Sequence, residues 1–178
     1  MTEDNPVVLG AIIAPDSGQA DELLAWAVEA CRAHGKQVRG VLMETPPHEA
    51  GQPRPKAVLR DLHTGESYSI LQDRGPLSRG CCLDTNVLSR ASIVLRRAAT
   101  EKPDLVIVNR FGSSEAEGEG FTEELLALIE AGIPLLLIVN TRYLEAWRHF
   151  NGGMGDEIAC EQTSVAGWLD NRLGVGAC

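Results

Sequence analysis

Four short apolar runs constrain the fold of this chain more than any other feature. Each is too short for a helix, and its almost continuous apolar character is typical of a strand covered on both faces, as in a parallel sheet. The runs are Val7–Ile13, Val38–Met43, Leu105–Val108 and Leu135–Val139. They predict the core strands of an α/β domain.

Segments with apolar residues at helical spacing alternate with these runs. Glycine or proline closes the first three segments, as expected at helix ends. A strand–helix–strand connection is right-handed and makes its two strands parallel. The sequence therefore predicts a mostly parallel sheet with helices on both faces. The predicted helices run from Leu23 to Gly35, from Asp84 or Thr85 to Pro103, from Thr122 to Gly132 and from Tyr143 to Phe150.

An insertion interrupts this alternation after the second strand. Thr45–Lys56 holds four prolines and is expected to be a long exposed loop. Ala57–Leu62 and Ser67–Gln72 flank a glycine-containing turn, which predicts an inserted β-hairpin. We expect a single domain over residues 1–178, with its core at about 7–153 and a glycine-rich tail at 154–178.

Charge and composition exclude several classes of partner and of protein. A net charge of −9 argues against nucleic acid, because phosphate neutralisation needs a basic face. No apolar run approaches the roughly 20 residues of a membrane span. The acidic N-terminus does not resemble a signal peptide. The five cysteines are odd in number and irregularly spaced, unlike a disulfide framework. We therefore expect a cytoplasmic, bacterial-type protein with no membrane insertion.

The loop after the first strand occupies the place of a phosphate-binding loop. Such a loop reads G-x-x-x-x-G-K-[ST], with the lysine on the β/γ phosphates and the hydroxyl on Mg²⁺. In APDSGQADELL, Ala20 aligns with the lysine and Asp21 with the hydroxyl residue. The backbone amides around Ser17, Gly18 and Gln19 could still attract an oxyanion, whereas Asp21 and Glu22 would repel it. A turn that only caps the helix is an equal alternative.

The most distinctive stretch is VNRFGSSEAEGEGF, after the third apolar run. Arg110 offers planar donors for a carboxylate, a phosphate or a tetrahedral metal oxyanion. Alternatively, it forms a salt bridge with Glu115 or Glu117. Carboxylates at alternate positions, Glu115, Glu117 and Glu119, suit a divalent cation or simply a solvated acidic loop. Parallel strands end at one edge of a sheet, so this loop is expected to meet Ala14–Asp21 and Asn140–Tyr143.

Two adjacent thiols, Cys81 and Cys82, form a third candidate feature. Thiols before a helix N-terminus could have a lowered pKa and bind a soft metal. Adjacent cysteines do not readily ligate one tetrahedral ion together, so a structural zinc site is not expected. The dispersed histidines give no hydrolytic triad. Cys31 lies on an apolar helix face and is predicted to be a core residue.

Three segments together resemble a known family. They are VNRFGSSEAEGEGF, the upstream SRGCCLD, and AGIPLLLIVNTRYLEAWRHFNGG. They are similar to the bacterial domain of unknown function 2478 family, itself similar to thermophile-type nucleoside triphosphatases. The resemblance runs from about Val7 to Gly153 and implies a P-loop-like three-layer sandwich. It also suggests an association with molybdenum transport and with molybdoenzyme or nitrogenase genes.

The family resemblance carries no catalytic activity to this chain. The lysine and hydroxyl of the triphosphatases do not match here, so the phosphate-binding loop is expected to be degenerate. Arg110 takes the basic position of the family motif, whereas Cys82 stands where a basic residue is common. The Cys82 difference puts an electropositive role for that loop in doubt.

The leading hypothesis is a non-hydrolytic binding protein for a small anion, such as molybdate or a nucleotide-like ligand, in molybdenum metabolism. Two alternatives are a divalent-cation-dependent nucleoside triphosphatase with a rebuilt site and a partner-binding module that uses Thr45–Lys56. Further partners would be a second copy of the chain or a protein of a molybdenum system. The candidate ligand-binding residues are Ser17, Gly18, Gln19, Arg79, Cys81, Asp84, Asn109, Arg110, Gly112, Glu115, Glu117 and Gly118.

Overall fold

The computed structural model describes residues 6–16, 18–53, 55–69 and 85–176. Up to residue 151 the elements follow the order that the sequence predicts, with one short helix added at Ser113–Ala116. The strands are β1 (Leu9–Ala14), β2 (Val38–Glu44), β3 (Val58–Asp61), β4 (Ser67–Ser69), β5 (Leu105–Phe111), β6 (Leu135–Asn140) and β7 (Asp156–Ala159). The helices are α1 (Gly18–Ala33), α2 (Thr85–Glu101), α3 (Ser113–Ala116), α4 (Thr122–Glu130), α5 (Leu144–Asn151) and α6 (Gln162–Leu173), with a 3₁₀ turn at Thr141–Tyr143.

The strands form one sheet in the order β4-β3-β2-β5-β6-β1-β7. Strands β2, β5, β6, β1 and β7 are parallel to one another, because a helical crossover returns each chain segment to the same end of the sheet. Strands β3 and β4 form the antiparallel hairpin at the opposite edge from β7. The predicted hairpin is therefore confirmed for the described residues; its last positions, 70–72, lie outside them.

Helices cover both faces of the sheet and make it a three-layer sandwich. One core lies between the sheet and α2, α4 and α5, and the other lies between the sheet and α1 and α6. Alternate residues of each central strand enter opposite cores, as the two-residue period of a strand requires. In β6, for example, Leu135 and Leu137 face the first core, and Leu136 faces the second. Both sides of the sheet are therefore apolar, which explains the continuous runs in the sequence.

The prediction of a tail at 154–178 was wrong in its secondary structure. Strand β7 pairs in parallel with β1, and α6 packs against α1. Gly10 of β1 allows α6 to pack closely on the sheet, since a Cβ there would lie 2.7 Å from the Trp168 ring. The sequence pattern for a strand is weak here, because β7 has only four residues, lies at a sheet edge and contains a single buried residue, Ile158. The core continues through this region.

Two further features follow from the described residues. Cys31 is fully buried, and burial raises the pKa of its thiol to about 11, which fits a core residue. No helix in the described part of the chain combines the length and apolar character that crossing a bilayer would require.

Candidate functional site

The ends of β1, β5 and β6 meet at the carboxyl edge of the sheet, as their parallel arrangement requires. Ala14 and Asn140 are register partners at the ends of β1 and β6. The Asn140 Nδ2 donates a hydrogen bond to the Pro15 carbonyl at 3.0 Å. From the other side, Arg110 of β5 reaches Asp21 in the first turn of α1. The three loops that the sequence singled out are therefore adjacent.

Asn109 lies at an irregularity in β5, where the pairing register with β6 shifts between Ile107 and Arg110. Its φ is +61°, in the left-handed region that asparagine tolerates better than most residues. The side chain compensates for the interrupted ladder, because Oδ1 accepts a hydrogen bond from Met43 N of β2 at 2.7 Å. Among the described residues, the buried Nδ2 has no hydrogen-bond partner. The irregularity turns the next residue, Arg110, toward α1.

Arg110 and Asp21 form an ion pair, with Nη2 of the arginine 2.9 Å from Oδ1 of the carboxylate. Their side chains are 33% and 25% exposed, so water screens the pair only partly. Burial raises the pKa of the Asp21 carboxyl above its usual range, although Arg110 and the Asn109 amide oppose the shift. The expected alternative pairing of Arg110 with Glu115 or Glu117 was wrong. The carboxylate that it reaches belongs to the first loop, 89 residues away in sequence.

Glu115 stabilises the loop between β5 and α4. One carboxylate oxygen accepts a hydrogen bond from Gly112 N at 3.0 Å, and the other accepts one from Phe121 N at 3.1 Å. Gly120 makes room for this buried carboxylate, because a Cβ at that position would overlap Glu115. The segment expected to be an open loop thus contains the end of β5 and the short helix α3. Glu115 lies in α3, whereas Glu117 and Glu119 follow the end of this helix, so the three do not alternate along an extended loop as the cation hypothesis requires.

Glu117 and Glu119 are exposed, whereas Glu115 points inward to the backbone. The described residues contain no group of three or more His, Cys, Asp or Glu side chains that could hold a metal ion. Within this part of the chain, the carboxylates of the loop therefore do not form a divalent-cation site.

The remaining candidate residues fall into two sets. Gly18 begins α1, and Gln19 donates to the Cys160 carbonyl after β7 at 3.2 Å, so Gln19 joins two loops of the edge. Gly118 adopts a positive φ of +82° in the loop closed by Glu115. Ser17, Arg79, Cys81 and Asp84, together with Cys82, lie outside the described residues.

A small apolar cavity of about 180 Å³ lies beside Asn109 and Arg110, toward α2 and the hairpin. Met43, Leu59 and Phe121 contribute to its wall. The Asn109 and Arg110 nitrogens without partners are themselves buried, so they do not form an open polar surface in this cavity. The cavity is lined mainly by apolar side chains and offers an anion no exposed donors from these two nitrogens.

The structure describes the two residues at the start of α1 that were predicted to replace the lysine and the hydroxyl residue of a phosphate-binding loop. Ala20 is fully buried in the core. Asp21 is held by Arg110. The chain has lysines only at positions 36, 56 and 102, and none of these lies in the three loops. Arg110 is the cation that the described geometry places nearest to this helix start.

Sequence reasoning missed the pairing that defines the edge. Asp21 was considered as a repulsive charge, and its partner could not be identified from spacing. Met43 was considered only as the end of a predicted strand, because its contribution at this edge is a backbone N–H. The available signal was the asparagine–arginine pair directly after the apolar run Leu105–Val108, since polar residues near the end of a buried strand face the carboxyl edge.

Comparison with known proteins places the chain in a defined context. The model of the family described as "Protein of unknown function (DUF2478)" matches residues 9–168. A "Molybdenum import ATP-binding protein ModC 2" from Bradyrhizobium diazoefficiens is 34% identical over 168 residues, or 93% of this chain. The chain spans only 18% of the length of that relative.

A solved structure shares the fold. The human protein described as a "Cancer-Related Nucleoside Triphosphatase" superposes with a TM-score of 0.58 at 18% sequence identity. The match covers 93% of this chain and 94% of the human chain. At this level of identity the likeness concerns architecture, and it confirms the predicted P-loop nucleoside-triphosphatase-like sandwich.

Proposed function

The chain belongs to the DUF2478 family, and from that premise we propose that it is a non-hydrolytic binding protein for a small oxyanion or a nucleotide-like anion. The edge formed by β1, β5 and β6 is the proposed site. The single observation that carries this proposal is the position of Arg110. It holds a guanidinium at the carboxyl end of β5, directly beside the first turn of α1.

The physical basis is the combination of two weak attractions for an anion. The first N–H groups of α1 have no partner inside the helix, and the helix dipole adds positive potential there. Arg110 adds a full charge with several planar donors. Asp21 opposes both, so the site suits a small anion of modest affinity. Without a lysine in the first loop, the standard mechanism of phosphoryl transfer lacks its main electrophilic group.

The link to molybdenum rests on the relative from Bradyrhizobium, whose name describes a molybdenum import ATP-binding protein. Because this chain corresponds to a small part of that protein, the similar region could serve as an accessory domain beside an ATP-binding part. Molybdate is therefore the first oxyanion to test, and the molybdenum system is the first place to look for a protein partner.

Isothermal titration calorimetry with molybdate, tungstate, ATP and GTP tests the proposed function. We expect binding of at least one of the four, and we expect Arg110→Ala to weaken it about tenfold or more, the effect of a charge-assisted hydrogen bond. Arg97→Ala, at an exposed position of α2, is the matched control and should leave the affinity unchanged. Absence of heat with all four ligands would exclude the proposal.

The described geometry does not favour the triphosphatase alternative, because Asp21 and Glu115 already have partners within the protein. Phosphate release with Mg²⁺ or Mn²⁺ that disappears in Arg110→Ala would nevertheless establish it. The partner-module alternative depends on the loop Thr45–Lys56, and complex formation that survives deletion of this loop in a pull-down would exclude it.

A further inference from the structure

Asp21 and Arg110 give the proposed site a property that an isolated arginine would not have. The Nη2 of Arg110 donates to the Asp21 carboxylate at 2.9 Å. An anion that approaches the start of α1 therefore meets an arginine that already has a negative partner. In a partly buried setting, two negative charges beside one guanidinium repel each other strongly.

The neighbouring groups leave few ways to relieve that repulsion. Arg110 is the charged side chain that faces Asp21 from β5, and Asn109 faces it as a neutral amide. From β6, Asn140 contributes an amide that is bonded to Pro15. Beyond β7, Cys160 interacts with Asp16. On the same segment as Asp21 stand two further acids, Asp16 and the exposed Glu22. Among the described residues, Arg110 is the cation that acts on the Asp21 carboxyl.

A second observation points to a ligand at this helix start. Asn109 is 2% exposed, and its Nδ2 has no hydrogen-bond partner among the described residues although it lies close to Asp21. A buried amide with an unused N–H is rare and favours an additional acceptor. Arg110 Nε is likewise buried without a partner in this part of the chain. A shift of Arg110 away from Asp21 would free its guanidinium to donate to an incoming oxygen.

Resting on the proposed function, we infer that Asp21 makes oxyanion binding proton-linked. The anion displaces the carboxylate from Arg110, and Asp21 takes up one proton from solvent and becomes neutral. The proton offsets one negative charge of the anion, so a singly charged anion is fully compensated and a doubly charged one, such as molybdate, is half compensated. Asp21 is in this sense a selectivity residue, since it disfavours doubly charged anions when the carboxyl is ionised.

The raised pKa of the Asp21 carboxyl, caused by burial, supports this geometry. A bound anion raises that pKa further, because it adds a like charge and removes Arg110. By linkage, the affinity increases as the pH falls between the pKa values of the free and the occupied protein, by up to about tenfold per pH unit.

The test is calorimetric titration of the wild-type chain with molybdate, and with sulfate as a second probe that stays doubly charged. Titrations from about pH 5 to about pH 8, in buffers of different ionisation enthalpy, count the protons taken up per anion. We expect uptake approaching one proton in the wild type. Binding without proton uptake would overturn the inference and leave the proposed function intact. No binding of any anion would overturn both.

Asp21→Asn provides the second arm. We expect molybdate to bind about tenfold more tightly to this variant at about pH 8, with no proton uptake, because the competing charge is gone. Glu22→Gln is the matched control, since it removes the same charge from the next, exposed residue and should retain wild-type proton uptake. Equal pH dependence in Asp21→Asn and in the wild type would contradict the inference. Should Asp21→Asn fail to fold, the wild-type proton count still decides.

Discussion

At the scale of single residues, the carboxyl edge depends on side chains that replace missing backbone contacts. Asn109 supplies an acceptor to Met43 N where β5 departs from its regular ladder. Glu115 supplies acceptors to two backbone amides across the loop that follows. Each acts on backbone rather than on another side chain. Polar residues near a candidate site can therefore be required for its shape even where they contact no ligand.

Substitution of Asn109 tests this role. We expect Asn109→Ala to lower the free energy of unfolding by about 2–4 kcal/mol, because it leaves Met43 N without an acceptor and places alanine at positive φ. Asn109→Gly relieves the backbone strain while removing the same hydrogen bond, so it should cost about 1 kcal/mol less. Urea denaturation of both variants measures the difference. Equal losses would show that the left-handed backbone carries no strain.

Gly120 is the second residue-scale prediction. We expect Gly120→Ala to destabilise the chain by about 2–3 kcal/mol, because its φ is +61° and the added Cβ would overlap the Glu115 carboxylate. Gly118→Ala is the matched control, since Gly118 has a φ of +82° but open space around it. That variant should lose only the strain energy, about 1 kcal/mol. Chemical denaturation would contradict the Glu115 contact if the two variants lost the same amount.

At the scale of elements, β7 and α6 complete the second core. Helix α6 places Trp168 over β1, where Gly10 leaves room for the ring. The indole Nε1 donates to Asp156 Oδ2 of β7 at 2.9 Å, and Arg172 binds both oxygens of the same carboxylate. Asp156 thus joins the edge strand to the helix that covers it. The C-terminal segment belongs to the packed structure through these contacts.

The contact between Gly10 and Trp168 makes a testable prediction about this segment. We expect Gly10→Ala to lower the free energy of unfolding by about 2 kcal/mol, because the Cβ would lie 2.7 Å from the indole and force α6 outward. Gly167→Ala is the control in α6, with nothing within 4 Å of its added Cβ. It should stabilise the helix by up to about 1 kcal/mol. Thermal and urea unfolding of the pair separate crowding from helix propensity, and a neutral Gly10→Ala would contradict the packing.

At the scale of the whole molecule, the carboxylates divide into two groups with opposite pH dependence. Hydrogen bonds from Arg172 and Trp168 lower the pKa of Asp156 despite some burial, and Arg148 lowers the pKa of Glu157. A carboxyl whose pKa is lowered by folding stabilises the folded state at pH values above its unfolded pKa of about 4. That stability is lost as the pH falls through the pKa of the folded state. Asp21 has a raised pKa and contributes in the opposite sense, losing stability as the pH rises.

Stability at acidic pH tests the first group. We expect the free energy of unfolding to fall below about pH 4, and we expect this fall to be shallower in Arg172→Met, which removes the partner of Asp156. Arg97→Met, at an exposed position of α2, is the control and should keep the wild-type slope. Urea denaturation over a series of pH values measures both. An unchanged slope in Arg172→Met would show that the Asp156 pair is not coupled to acid unfolding.

The class of fold and the place of the candidate edge could be predicted from the amino-acid sequence. Apolar runs such as those of β1 and β6 are local patterns, and local patterns are sufficient to predict buried parallel strands and their alternation with helices. The asparagine–arginine step near the end of β5 was equally visible. Strand β7 was not predicted, because a four-residue edge strand has too few buried positions to show the two-residue period of a strand.

The contacts of the candidate residues, in contrast, could be seen only in the folded chain. The loop that contains Arg110 also contains acidic residues with which it could pair. Arg110 nevertheless pairs with Asp21, because the irregularity at Asn109 turns it toward α1. Glu115 has a carboxylate of the kind that ligates cations. In the structure this carboxylate accepts hydrogen bonds from two backbone amides and so holds the loop together. Pairings of this kind depend on distances between segments that are remote in sequence, and spacing along the chain carries no information about those distances.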